Sequence, residues 1–319
     1  MEYVRLGRSN LMISRVAMGA MSLNKVGSEE KASVLVRNAY NKGINFFDTS
    51  RNSIQNEQLL GDSIYDIRSS VVIASKTTAQ SGAEVLNDVE TSLGVMHTDY
   101  IDLYQYESDL FVPQANGPDG IYNAFLSLKE SGKIRSIGIA TQDLDIAKQA
   151  VQSGLYDTLQ FPFSMLSSEQ TIQLVKLCEE NDVGFIAMQP LCGGVVENIP
   201  LAFGFLHQYE NVIPLWGAQS QEELNQILYF AERPPVIDEK FNEDRETLIQ
   251  DTYNEGTTKF VCAGYNIKSS LDSLEMSKKY EVIYSICGIS PNDIPQSEQE
   301  LWKNIDEISE IVTKKNNEK

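Results

Sequence analysis

Asp48 and Lys76 are the residues of this chain whose setting most needs a chemical reason. Phe46-Phe47 precede the aspartate, and Val72-Ile73-Ala74 lead up to the lysine. An ionised group among such neighbours is strongly disfavoured unless it is paired. The two are therefore expected to neutralise each other. The pair is either a retained internal salt bridge or the anchor of a reactive site, and the residues alone leave both open. A lysine in such a place can form a Schiff base with a carbonyl, but a carboxylate partner keeps it protonated. Glu107 ends another apolar run. It is either a solvated rim carboxylate or, near Asp48, a carboxyl whose pKa is raised by burial and like charge. Arg51 either meets an anionic ligand group or neutralises Glu57. Gly193-Gly194 follow Pro190-Leu191-Cys192, and glycines there let backbone N–H groups approach an anion. From Leu177 through Glu232 there is no lysine or arginine, so a phosphate held by that stretch lacks cationic partners.

These residues need a frame to hold them. Eight short runs rich in Val, Ile, Phe and Leu recur at Arg15–Leu23, Ile44–Ser50, Val71–Thr77, Ile101–Ser108, Ser136–Thr141, Thr158–Ser164, Gly184–Leu191 and Val212–Gln219. Nearly continuous apolar runs are the mark of strands buried on both faces, as in a parallel sheet. Segments of helical periodicity separate them. Glu29–Lys42 puts Ala32, Leu35, Val36, Ala39 and Tyr40 on one side. Ala83–Leu93 follows a cap at Ser81-Gly82, and Ser168–Glu180 spaces Ile172, Val175 and Cys178 by three. Eight strand-then-helix units predict an α/β fold, a (β/α)8 barrel, rather than an open doubly wound sheet, and no GxGxxG follows the first strand. Tyr3–Leu6 and Leu11–Ser14 flank Gly7-Arg8-Ser9-Asn10 in a β-hairpin pattern that is expected to close the bottom of the barrel. After Arg233-Pro234-Pro235 the pattern changes to polar helical stretches near Glu246–Tyr253 and Ser297–Thr313. The expected organisation is a barrel over 1–232 and a helical C-terminal extension over 233–319.

The chain has 319 residues, 42% of them hydrophobic, enough for a sizeable core. Its 26 Lys+Arg against 45 Asp+Glu give a net charge of −19, which repels nucleic-acid phosphates and anionic membrane surfaces. Cys178, Cys192, Cys262 and Cys287 have no CxxC or zinc spacing, so no metal site is expected. They are expected to be reduced thiols of a cytoplasmic protein, with a disulfide pair left open. The N-terminus lacks an apolar signal core, and no apolar run reaches a membrane span.

Five segments, each at a strand of the right ordinal number, resemble the aldo-keto reductases. They are Gly43–Ser50, Ser75-Lys76, Asp99–Gln105, Ser131–Gly138, and Met188–Leu191 with Gly193-Gly194. The resemblance covers residues 1–230. In that family Asp, Tyr, Lys and His at strand ends reduce a carbonyl: a nicotinamide gives hydride, the tyrosine gives the proton, the lysine raises its acidity and the histidine orients the substrate. The resemblance carries Asp48 and Lys76 over unchanged. The tyrosine position falls on Ser53, whose hydroxyl is far less acidic and shorter in reach. The histidine position falls on Glu107. Members with glutamate there tend to reduce activated carbon–carbon double bonds, but those members keep the tyrosine. Tyr104, Tyr106 and Tyr122 are the tyrosines nearby. On the cofactor side the resemblance implies Thr141, Gln142 and Gln160 near the nicotinamide. It implies Gly19 on the first strand, Pro190, Leu191, Gly193 and Gly194 at the pyrophosphate, and Gly217, Gln219 and Glu223 at the last strand and the following helix. NAD(P)H is the implied cofactor. NADH is favoured over NADPH, because members that prefer NADPH place Arg or Lys where this chain has none; a cation from elsewhere, such as Lys25 or Arg51, would weaken that preference. Relatives with a C-terminal ferredoxin-like extension look closest. Their four cluster cysteines fall here on Phe260, Ala263, Asn266 and Ser269, beside Gly264-Tyr265, so no iron–sulfur cluster is expected.

Three functions compete on this reading. One is an oxidoreductase with altered acid–base residues, acting on a small carbonyl or activated double bond. Another is a non-catalytic barrel serving as ligand sensor, regulatory subunit or scaffold. The third is a lyase that uses Lys76. The substrate and the oligomeric state are left open.

Overall fold

The computed structural model describes residues 1–194, 196 and 198–235, and, of the remainder, 260–263, 267, 270, 271, 274, 277, 278, 283–288, 297 and 301–309. The chain divides into two compact units, Met1–Val236 and Ile237–Lys319.

In the first unit eight parallel strands close on themselves: β3 (Ala17–Gly19), β4 (Phe46–Asp48), β5 (Val72–Thr77), β6 (Ile101–Glu107), β7 (Ile134–Ala140), β8 (Thr158–Pro162), β9 (Gly184–Met188) and β10 (Val212–Gly217), which pairs back to β3. They are preceded by an antiparallel pair, β1 (Tyr3–Arg5) and β2 (Met12–Ser14). Helices α1 (Glu29–Asn41), α2 (Ile54–Ile64), α3 (Gly82–Val95), α4 (Ile121–Glu130), α5 (Leu144–Ser153), α6 (Glu169–Glu180), α7 (Ile199–His207) and α8 (Gln221–Glu232) follow the barrel strands in turn. The predicted barrel is the observed one. The strands are shorter than their apolar runs: Arg15–Leu23 yields only Ala17–Gly19, because Leu23–Lys25 turns into a 3-10 helix.

Side chains alternate across each strand, and the two faces carry different cores. Inward, Ala17, Phe46, Ala74, Leu103, Ile186, Ile213 and Leu215 fill the barrel together with Leu6 and Ile13 from the hairpin region. The hairpin thus plugs the amino-terminal end of the barrel. Gly7 is needed for that fit: its φ is +49°, and a Cβ there would lie 2.1 Å from the backbone nitrogen of Gly184. Outward, residues such as Tyr104, Ile139 and Phe185 pack under the helices in a second, larger core. Each fully buried Leu, Ile or Phe contributes about 1.5–3 kcal/mol. Polar N-caps start the helices where the sequence offers them: Ser28, Ser81, Asp143, Ser168, Asn198 and Ser220 each accept a backbone N–H of the first turn.

The C-terminal unit holds a parallel pair, β11 (Phe260–Ala263) and β12 (Ile283–Ile286), with helical residues described between them and again over 301–309. Beside the helical residues expected from sequence, the extension thus holds two strands, whose runs of four residues are too short for alternation to stand out. The helix expected near Glu246–Tyr253, and the positions Asn266 and Ser269, lie outside the described residues. Among the described residues no helix is long and apolar enough to cross a membrane.

Candidate functional site

Parity along the strands builds the site. On β6 the inward residues are Leu103, Gln105 and Glu107; on β4 and β5, Phe46 and Asp48, and Ala74 and Lys76. The barrel interior therefore changes from apolar to polar toward the carboxyl ends of the strands, where barrel enzymes place their chemistry. Register sets the neighbours: Asp48 lies opposite Ala74, Lys76 opposite Gln105, and Ala140 opposite both Glu107 and Gln160.

Asp48 and Lys76 pair as their surroundings demand. Lys76 Nζ donates to Asp48 Oδ2 at 2.7 Å and to the Thr49 carbonyl at 2.9 Å. Both residues are buried. Asp48 also accepts from Gln105 Nε2 and from Gln160 Nε2, each at 3.3 Å, and Gln105 Nε2 lies 3.2 Å from Gln160 Oε1. The carboxylate thus sits among three donors on three strands. Gln105 was legible as the residue two before Glu107, on the same face of its strand.

Glu107 stands half-buried at the mouth above this layer. Burial pushes its carboxyl pKa up; Lys76 opposes that, and Asp48 and Asp109 add to it. A cleft of about 440 Å³ opens there, lined by Glu107, Ser108, Asp109 and Leu110 on one side and by Asn52, Thr78, Thr141, Gln142 and Met188 around it. Asp109 behaves oppositely to Glu107. Burial works against its charge, but hydrogen bonds from the Gln142 N–H, the Thr141 hydroxyl and the Asp143 N–H hold it below the usual carboxylate range.

Ser53 does not join the site. It occupies the cap position before α2, and its Oγ accepts from Asn56 Nδ2 at 2.7 Å. Asn56 in turn donates to the Met21 carbonyl and accepts from the Asn24 N–H. Asn52, the residue before Ser53, lines the cleft. None of the nearby tyrosines lines it either. Tyr104 packs outward against Phe125, and Tyr106 against Phe111. Tyr122 donates to the Leu155 carbonyl at 2.8 Å. Burial pushes all three phenols up. Arg51 takes the second of its two expected roles. It forms a buried ion pair with Glu57, whose Oε1 also accepts from Ser75 Oγ at 2.8 Å and Ser92 Oγ at 2.7 Å. Burial raises the Glu57 pKa, against those hydroxyls and Arg51. The Arg51 N–H donates to the Lys76 carbonyl, so this network ties the loop after β4 to the lysine's strand.

The residues expected around a dinucleotide fall into two groups. Thr141 Oγ1 and the Gln142 N–H both donate to Asp109 Oδ1, at 2.7 and 2.6 Å, while Gln160 bonds Asp48. The turn after β9, from Pro190 and Leu191 onward, runs through left-handed residues: Gln189 (φ 54°), Cys192 (48°), Gly193 (67°) and Gly194 (99°). Among the described residues nothing lies within 4 Å of where a Cβ would stand at Gly193, Gly194 or Gly217, which leaves room for a close ligand. Gly19 faces Asp48 across the β3–β4 register. At the start of α8, Ser220 Oγ accepts from the Glu223 N–H and Glu223 Oε2 from the Gln219 N–H, a capping box. Between α1 and this helix start lies a cleft of about 400 Å³ whose one cation among the described residues is Lys31, with Glu30 and Glu222 beside it. Barrel closure brings Lys31 there. Sequence reasoning considered Lys25 and Arg51 and missed it. The open glycine turn and this cleft fit a dinucleotide's phosphates and adenosine.

A family model described as aldo/keto reductase family matches residues 15–199, more than half of the chain. This protein belongs to the aldo/keto reductase family. Among its relatives, the uncharacterized oxidoreductase YqkF of Bacillus subtilis is 30% identical over 212 residues, 62% of this chain and 67% of that protein. L-galactose dehydrogenase of Arabidopsis thaliana is 29% identical over 213 residues, 61% and 67% respectively. This aldo/keto reductase family member spans about two thirds of the length of the curated relatives it matches. Its fold matches the holo form of aldo-keto reductase AKR11C1 from Bacillus halodurans with a TM-score of 0.67 at 22% identity, covering 78% of this chain and 96% of that one. Over residues 236–317 a family model described as TatD related DNase matches. That stretch has nine Lys and Arg against sixteen Asp and Glu and no histidine. Its net negative charge repels a nucleic-acid backbone.

Proposed function

We propose that the protein is an oxidoreductase that reduces a carbonyl or activated double bond of a small molecule with a nicotinamide dinucleotide, using Glu107 as the proton donor. The observation that carries this is the placement of Glu107 at the end of β6, lining the cleft two residues beyond Gln105, which lies opposite the paired Lys76. When bound, the nicotinamide supplies a hydride to the substrate's electrophilic carbon. The chain's residues supply the rest. The Gly193, Gly194 and Gly217 backbone would hold the pyrophosphate, the Lys31 cleft the adenosine, and Thr141, Gln142 and Gln160 the carboxamide side. Asp48 fixes Lys76 as a cation. Glu107 in its protonated form, which burial favours, gives its proton to the substrate oxygen as the carbon gains hydride. Lys76 then stabilises the carboxylate that remains, and Glu107 recovers a proton from solvent at the mouth. A positioned general acid contributes typically about 10²–10⁴-fold. Ser53 has no part in the transfer.

NADH is favoured over NADPH. No lysine or arginine occurs from Leu177 through Glu232, and the first turn of α8 carries Glu222 and Glu223. Each charged hydrogen bond to a phosphate is worth about 1.5–3 kcal/mol, so losing two lowers affinity roughly a hundredfold or more. Lys31 is the residue that would soften this preference.

Fluorescence titration with NADH and NADPH tests the reading. NADH is expected to quench and to bind more tightly, and Lys76→Met to abolish turnover. No response to either nucleotide at millimolar concentration would overturn the oxidoreductase reading in favour of a non-catalytic barrel that senses a ligand or serves as a scaffold. Unchanged turnover in Lys76→Met would put the chemistry elsewhere.

A further inference from the structure

We infer that the cleft above Lys76 selects substrates bearing a positive charge, an amine-bearing carbonyl compound with a short spacer, and turns away carboxylates; this rests on the function proposed above. Among the described residues that line the cleft, the ionisable side chains are Glu107 and Asp109, and none is lysine, arginine or histidine; Asp109 carries the negative charge when Glu107 is protonated to act as the acid. Lys76 offsets Glu107 in part, but its ammonium is already bonded to the Asp48 carboxylate and the Thr49 carbonyl. A substrate carboxylate would meet the Asp109 carboxylate and, among the described lining residues, no cation.

The two acids are not equivalent. Glu107 stands at the end of β6, next to the polar layer. Asp109 is exposed, two residues further out, and is fixed in place by the Thr141 hydroxyl and the Gln142 N–H on Oδ1. A fixed carboxylate loses little freedom when it takes an ammonium. Two residues span at most about 7 Å of chain, so a molecule with its carbonyl at Glu107 and its ammonium at Asp109 needs only a few bonds between them. Leu110, 82% exposed at the rim, and Met188 across the cleft offer apolar contact to that spacer. The chain's net charge of −19 favours the approach of the same class of molecule.

An exposed charge pair is worth about 0.2–1 kcal/mol. Attraction of a cation and repulsion of an anion of the same shape act together, which makes the expected preference roughly tenfold at low salt, shrinking as salt is raised. The test compares 4-(aminomethyl)benzaldehyde, benzaldehyde and 4-formylbenzoate as substrates with NADH. In parallel it measures binding of benzylammonium and benzoate by saturation-transfer NMR. Both are run on wild type and on Asp109→Asn, with folding checked by circular dichroism. The expected result is a kcat/KM ratio of cationic to anionic aldehyde near ten, falling about threefold in the variant, with benzylammonium binding better than benzoate. Turnover without charge preference overturns this inference and leaves the oxidoreductase reading standing. Preferential binding of benzylammonium that Asp109→Asn weakens, without turnover of any aldehyde, upholds the charge selection and removes the oxidoreductase reading. Neither turnover nor preference removes both.

Discussion

Removing either partner of the buried pair should destabilise the barrel, and removing the aspartate should cost more. Asp48→Asn leaves an ammonium that is 7% exposed with only neutral acceptors, the new amide oxygen and the Thr49 carbonyl. Breaking a buried ion pair costs about 3–5 kcal/mol, because neutral oxygens do not restore the lost counter-charge. Lys76→Met leaves a carboxylate that keeps two glutamine donors at 3.3 Å. Hydrogen bonds to charged groups contribute about 1.5–3 kcal/mol each, with long ones at the low end, so the expected cost falls to roughly 2–3 kcal/mol. The double variant has no orphaned charge. It should cost no more than the larger single change, giving a coupling of about 2 kcal/mol or more. Barrels of this size lose about 2–4 °C of Tm per kcal/mol, so Asp48→Asn should melt roughly 6–20 °C below wild type. The assay is thermal and urea unfolding followed by the fluorescence of Trp216, which is buried and stacked on Phe203 at 4.0 Å, in a Trp302→Phe background so that the signal reports the barrel. Additive single costs, or a larger loss for Lys76→Met, would refute the reasoning.

Three further outcomes are expected. The Glu107 pKa is raised in the folded state, so its contribution to stability is full below the unfolded carboxylate value near about 4.3 and is lost as pH rises through the folded value. Glu107→Gln should therefore flatten the fall of the urea midpoint between pH 5 and pH 8, and equal slopes in the two proteins would count against the shift. Ser53→Ala loses one hydrogen bond to Asn56, about 1 kcal/mol, and should leave turnover within about twofold; a hundredfold loss would make Ser53 the acid after all. Glu57→Gln strips Arg51 of its counter-charge in a site where Arg51 is buried, which should cost about 3 kcal/mol or more by urea unfolding, and a change under about 1 kcal/mol would show that the pair is not formed.

The barrel was legible because parallel strands buried on both faces need continuous apolar runs, and this chain has eight. Their ends were not legible, since residues such as Leu23 are as apolar as the strand but belong to the following turn. The Asp48–Lys76 pair could be read because two charges set among Phe46, Phe47 and Ile73 have no other stable arrangement. Helix α2 hid itself: Asn56, Glu57 and Ser63 are buried polar residues that interrupt its apolar stripe. Ser53 stands at the cap of that helix. Lys31 and Asp109 belong to clefts made by distant parts of the chain, α1 against α8 and the β6 loop against Thr141, and pattern within a window carries no information about such meetings.

The strand β6 decides which proton donor this fold can use. Its inward residues are Leu103, Gln105 and Glu107; its tyrosines occupy the two positions between and pack outward. Bringing a β6 phenol to Lys76 would take a one-residue slip, which would turn Leu103 out of the barrel core and Glu107 away from the cleft together. No small movement supplies the tyrosine. A carboxyl differs from a phenol in its working range: it is an acid only while protonated, and its pKa, though raised by burial, titrates as a carboxylate's. Under this proposal reduction weakens as pH rises through the Glu107 pKa, while the reverse oxidation, which needs the ionised carboxylate as base, strengthens over the same interval. Opposed pH profiles governed by one group, both abolished in Glu107→Gln, are what a single acid–base carboxyl above Lys76 requires.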